Sequence, residues 1–134
     1  MGRVSARSGS PFEDIIGFSR AVRVGDRVIV SGTAPVWPDG HVEVDVERQT
    51  VRCIEIIAAS LEQLGSGLEE VVRTRMFLVN SGDAEAVGRA HAVAFGRCRP
   101  AATMVIVAAL LDARWRVEIE AEAIIGSAPE QGAP

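Results

Sequence analysis

Arg116-Val117-Glu118-Ile119-Glu120-Ala121-Glu122-Ala123-Ile124-Ile125 alternates strictly as far as Ala123, with Val117, Ile119, Ala121 and Ala123 on one side and Glu118, Glu120 and Glu122 on the other. Side chains of an extended chain leave on alternate faces, so this is a strand with one face turned to a core and one to charge or water. A sheet with an apolar face needs a layer to cover it. Two helical stripes supply that layer. Between 46 and 64, Ile54, Ile57, Ala58, Leu61 and Leu64 recur at three- and four-residue spacing, with Asp45 placed to cap the start and Gly65 to stop the end. After Asp83, a second cap candidate, Val87, Ala90, His91, Ala94 and Phe95 make another stripe, and Pro100 lies beyond its end.

The remaining strands are found around these helices. Residues 18–24 and 27–31 are β-type runs joined at Gly25-Asp26, where glycine accepts the positive φ of a tight hairpin. Trp37-Pro38-Asp39-Gly40 reads as a turn. Residues 71–79 form a strand with Arg73 and Arg75 opposite Val72, Thr74 and Met76. Residues 103–111 are apolar on both alternations and include the β-branched Val105, Ile106 and Val107, the pattern of a strand buried on both faces, although periodicity alone leaves a helix open. The predicted order is ββαβαββ, an α+β domain over 14–126 with both helices on one face of the sheet. Two helices cannot cover both faces, so the second apolar face of 103–111 predicts contact with another subunit. Residues 1–13 and 127–134, rich in Ser, Gly and Arg or in Ala, Gly and Pro, are expected to be flexible tails.

Composition narrows the function. A length of 134 residues suits one core, and with 4% aromatics and no Tyr that core must be aliphatic. A net charge of −4 weighs against nucleic-acid binding, which needs a basic face. Cys53 and Cys98 form no Cys-x-x-Cys pair, and with only His41 and His91 there is no metal-ligand spacing, so neither metal nor cofactor is expected. Arg3 and Arg7 precede no apolar stretch, Ala6 stands where a myristoylation motif needs Ser or Thr, and no run approaches the roughly 20 apolar residues that cross a bilayer. A cytoplasmic setting without a membrane partner is the expectation.

Phe18-Ser19-Arg20-Ala21-Val22-Arg23-Val24-Gly25-Asp26 with Val30-Ser31-Gly32-Thr33-Ala34-Pro35 resembles the N-terminal hairpin of the Rid (reactive intermediate deaminase, or YjgF) family. Val71-Val72-Arg73-Thr74-Arg75-Met76-Phe77-Leu78 resembles its central strand, and Arg99-Pro100-Ala101, followed by an apolar strand and Val117-Glu118-Ile119-Glu120-Ala121, completes a match over about 16–125. The resemblance implies a chorismate-mutase-like fold and a homotrimer with a small-molecule ligand in each cleft between subunits. It also implies deamination of small 2-imino acids, in which an arginine after Pro-Ala grips the carboxylate and water attacks the imine carbon. A guanidinium fork suits that task because it pairs with a carboxylate bidentately. Here that position is Ala102; Phe18 stands where a tyrosine is expected, and Gly88 where an asparagine is. Ser31, Gly32 and Glu118 match, and the resemblance gives Glu118 the attacking water. Phe18, Ser31, Gly32, His91, Arg99, Ala102 and Thr103 make up the implied substrate-binding set.

Simpler readings stand beside these. Glu120 and Glu122 read as a solvated strand face, with Arg73 and Arg75 as counter-charges. His91 reads as a partly buried, hydrogen-bonded side chain rather than a catalytic base. Cys53 reads as packing. Cys98, between Arg97 and Arg99, is either inert or a thiol of lowered pKa. Arg99 either brings a substitute charge to the cleft or contacts solvent and a helix end. Three functions compete: a hydrolase of small imines or enamines, a trimer that binds a small ligand without turnover, and a ribonuclease. The acidic balance and the lack of a histidine constellation make the last the weakest.

Overall fold

The structure, a computed structural model, describes residues 2–130. Eight principal elements follow one another: β1 (Arg3–Ala6), β2 (Ala21–Val24), β3 (Arg27–Thr33), α1 (Val46–Gln63), β4 (Val71–Leu78), α2 (Ala84–Phe95), β5 (Ala101–Ile106) and β6 (Val117–Ile124). The six strands form one mixed sheet in the order β1-β2-β3-β6-β4-β5. All neighbours are antiparallel except β4 and β5, whose parallel pairing needs the crossover that α2 supplies.

Local signals account for most of this. Val24 faces Arg27 across Gly25-Asp26, and Gly25 takes a φ of 61°. The Asp45 carboxylate accepts from the Arg48 amide at 2.9 Å and caps α1. At the other end Gly65, at φ 86°, lets its own amide reach Glu62 O at 3.1 Å and the Ser66 amide reach Leu61 O at 2.8 Å, which satisfies carbonyls the helix leaves open. Cys53, Ile57 and Leu61 of α1 and Val87 and Phe95 of α2 are fully buried against Val28, Val30, Leu78, Val117 and Ile119 of the sheet. The other face of the sheet carries Ile29, Arg73, Arg75, Phe77 and the glutamates of β6, and none of the described elements covers it.

Four expectations are corrected. Residues 3–13 are not a tail: β1 pairs with β2 from Arg3↔Val24 to Ala6↔Ala21, and a wide helical turn at Glu13–Gly17 buries Glu13. The element order therefore gains a leading strand. At the opposite end, 127–130 is irregular and the rest of the expected tail, 131–134, lies outside the described residues. The strand expected at 103–111 runs instead over Ala101–Ile106; it is an edge strand, and Val105 and Ile106 remain exposed. Asp83 precedes α2 but does not cap it with its side chain, because the carboxylate is taken by Arg116 at 2.6 and 3.1 Å.

Candidate functional site

Glu118 lies on β6 opposite Phe77, between the buried Val117 and Ile119, so the alternation sends its side chain to the face without helices. A register shift in β3 between Val30 and Thr33 brings Gly32 against it. The approach is so close that a Cβ at Gly32 would collide with Glu118 Oε2, which gives a physical reason for glycine there. Ser31 is turned the other way: its hydroxyl donates to Ser19 O at 2.7 Å, and Thr33 Oγ1 donates to Ser31 O at 2.8 Å. These bonds hold the bulge in shape.

The Glu118 carboxylate makes no hydrogen bond to any described residue. Burial raises its pKa above the ordinary glutamate value, Arg20 opposes that rise, and neighbouring Glu120 adds to it. Glu120 and Glu122 differ from it in having partners, Arg75 Nη1 at 2.7 Å and the exposed Arg27 Nη2 at 3.3 Å. The counter-charge reading thus holds for Arg75, whereas Arg73, in register with Glu122, makes no ion pair among the described residues.

Sequence reasoning passed over Arg20. It is only 8% exposed, its Nη2 donates to Gly32 O, and its guanidinium carbon lies 5.7 Å from the centre of the Phe18 ring. Phe18, Arg20, Ser31, Gly32 and Glu118 therefore form one continuous group where the segment before β2 meets β3 and β6. Arg20 sits in a run of β-type residues where charge ordinarily means a solvated face, and that is why it gave no signal.

The other expected residues lie elsewhere. Ala102 and Thr103 are exposed on β5, in register with Thr74 and Arg75. Two strand spacings, about 10 Å, separate β5 from β6. His91 bonds Thr74 Oγ1 through Nε2 at 2.8 Å and packs on Phe95, with ring centres 4.7 Å apart; burial lowers its pKa. Thr74 belongs to the helix-covered face, so His91 and Ala102 share one side of the sheet and Glu118 the other. Arg99 is exposed at φ 48°, a left-handed conformation closed by its amide on Phe95 O at 2.8 Å. Within the chain it follows the helix end and does not reach Glu118's group.

Cys98 is not an activated thiol: burial raises its pKa, and it lies within donor distance of Leu68 O at 3.5 Å. Burial pushes the Cys53 thiol up as well. Among the described residues no group of three or more His, Cys, Asp or Glu could hold a metal, and no helix is long and apolar enough to cross a membrane. A shallow depression of about 430 Å³ lies at the β2–β3 hairpin, lined by Val24, Asp26, Arg27, Val72, Glu122 and Ile124. A smaller one of about 120 Å³, between Ile29, Arg73, Arg75, Glu120 and Glu122, lies on the uncovered face. Neither includes Glu118. Within the chain, Glu118 and Ala102 therefore lie apart, on opposite faces of the sheet.

Known proteins match this chain over most of its length. The family model described as endoribonuclease L-PSP matches residues 9–125. An uncharacterized protein of Streptomyces coelicolor is 42% identical over 122 residues, covering 90% of this chain and 91% of its own. A RutC family protein of Pyrococcus abyssi is 35% identical over 95 residues, 69% of this chain and 75% of its own. A crystal structure of a Mycobacterium tuberculosis member of the YjgF/YER057c/UK114 family superposes with a TM-score of 0.86 at 40% identity, covering 92% of this chain and all of the other.

Proposed function

Because the chain belongs to the Rid/YjgF family, whose matching model is described as endoribonuclease L-PSP, we propose that it works as a homotrimer that hydrolyses small imines or enamines in clefts between subunits. Each cleft joins the Glu118 group of one subunit to the β5 edge of the next. The observation that carries this reading is the Glu118 carboxylate: half-buried, raised in pKa and without a hydrogen bond to any described residue. A carboxylate in that state is suited to accept a proton from water as the water adds to the imine carbon. The C=N electrons pass to nitrogen, which takes the proton held by Glu118. Glu118 then carries the hydroxyl proton to the amine, the C–N bond breaks, and ammonia leaves as the carbonyl forms. The exposed edge of β5 and the uncovered sheet face support the assembly, and a cytoplasmic setting fits such metabolites.

A second reading, a trimer that binds a small ligand without turnover, is favoured by one observation. Ala102 is a methyl group at the position where the family resemblance implies the carboxylate-gripping arginine. The deciding assay follows loss of freshly generated 2-iminopropanoate, 2-iminobutanoate and an imine without a carboxylate, each against buffer. Faster loss with protein of any of the three supports hydrolysis; rates equal to buffer for all three leave the binding reading.

Two substitutions test the parts separately. Gly32→Ala should leave the melting temperature nearly unchanged, because the group in the way is the movable end of a side chain, yet displace the Glu118 carboxylate. Turnover should then fall, by up to about 10²-fold for a displacement near 1 Å. Ala102→Arg should strengthen 2-oxobutanoate binding in calorimetry by about ten- to a hundredfold, the worth of one bidentate contact. Unchanged affinity would mean that the β5 edge is not where an acid is held.

A further inference from the structure

We propose that Arg20 is the positioning residue of Glu118: its buried guanidinium, tied to the Gly32 carbonyl and lying by Phe18, supplies the fixed positive charge that keeps the Glu118 carboxylate ionised and in place. The proposal rests on reading Glu118 as the working acid, and it extends that reading to a residue outside the expected set.

Arg20 is nine-tenths buried, and its Nε is enclosed without an acceptor among the described residues. An enclosed charge with an unpaired N–H is expensive unless nearby charge offsets it. Two carboxylates are close enough to act on it, Glu13 and Glu118. Glu13 has other partners besides Arg20: it accepts from the Ser8 amide at 3.2 Å, from the Ser8 hydroxyl, and from Arg7 Nε at 3.2 Å. Burial pushes the Glu13 pKa up, but the Ser8 bonds, with help from Arg20 and Arg7, bring it below the ordinary value. Glu118 has no such support. Its carboxylate lies against Gly32, whose carbonyl holds Arg20 Nη2, so one side chain fixes both the backbone beneath Glu118 and the charge beside it.

The other charged or titratable groups around Glu118 do not replace Arg20. On β6, Glu120 is of like sign and already paired with Arg75 of β4. On α1, burial keeps the Cys53 thiol protonated. Glu13, behind Arg20, is negative. Among the described residues, Arg20 is the one nearby cation that favours the ionised form of Glu118.

Carbon-detected NMR titration of the Glu118 carboxyl in the full chain tests this without needing turnover. In Arg20→Gln the midpoint should move to higher pH, because loss of a neighbouring positive charge disfavours the carboxylate. Arg20→Lys, which keeps the charge, and Arg89→Gln, which removes an exposed arginine of α2, should stay close to the native midpoint. An unmoved midpoint in folded Arg20→Gln overturns the proposal. If Arg20→Gln does not fold, the double variant Arg20→Gln/Glu118→Gln decides. Recovery of folding means that the stranded carboxylate was the fault, and failure of both overturns the proposal in favour of a purely structural arginine. Absence of imine turnover in the native chain would sink the functional reading and leave this titration to judge Arg20 by itself.

Discussion

Val105→Asp is expected to convert the proposed trimer into monomers. Val105 is 39% exposed in the isolated chain, in register with Phe77 on the uncovered face of the sheet, and its strand β5 has a free edge. An apolar edge strand of this kind invites pairing or packing by another copy. A carboxylate placed there loses little in a monomer, where water reaches it, but in a closed interface it would be buried without a partner at a cost of several kcal/mol. Light scattering should report three times 14.2 kDa for the native chain and one times that mass for the variant, with a similar circular dichroism spectrum. A native chain that scatters as a monomer at micromolar concentration would end the trimer reading.

Glu118→Gln should lower imine turnover by roughly 10²-fold or more, the usual cost of losing a positioned general base. Glu122→Gln should change it little, since Glu122 only pairs with the exposed Arg27. The stability signs should separate catalysis from damage. Burial raises the folded-state pKa of Glu118 above its unfolded value, so between the two the folded chain binds more protons and stability falls as pH rises. Above both values the ionised carboxylate is a full liability. At neutral pH the neutral glutamine removes that liability, and the variant should melt no lower than the native chain. Equal activity losses at 118 and 122, or a marked drop in melting temperature at 118, would assign the effect to folding.

Much of the fold was legible in the sequence because several elements carry their own periodicity or turn chemistry. The β6 alternation, the α1 stripe with Asp45 and Gly65, and the Gly25-Asp26 hairpin are each decided within about twenty residues. β1 was not legible, since the alternation of Arg3-Val4-Ser5-Ala6 is too short to stand out and becomes a strand by pairing with the edge of β2. The extent of β5 was misjudged for a related reason: apolar residues continue past Ile106, but β4, its partner, ends at Leu78. Asp83 looked like a cap because local rules weigh the helix start and not an arginine 33 residues away. At the candidate site, Glu118, Ser31 and Gly32 could be named from the family resemblance and were found together with Phe18. Arg20 could not, because its role depends on a fold that buries it. The sheet face of His91 was hidden for the same reason: periodicity assigns it to a buried stripe without saying which expected residues share that side.

The place of β6 in the sheet has a consequence for biosynthesis. The last strand among the described residues sits between β3 and β4, so before residue 124 clears the ribosome the β1-β2-β3 and β4-β5 halves have no common partner. A nascent chain stalled short of Arg116 would present two raw sheet edges and a pair of helices whose apolar sides lack part of their floor. Such a species is a natural client for chaperones and a route to aggregation. Non-local pairing of this kind also slows folding, so this domain should fold slowly compared with a helical protein of the same size. Slower synthesis of Val117–Ile124 would lengthen the exposure, whereas faster delivery of that strand would shorten it.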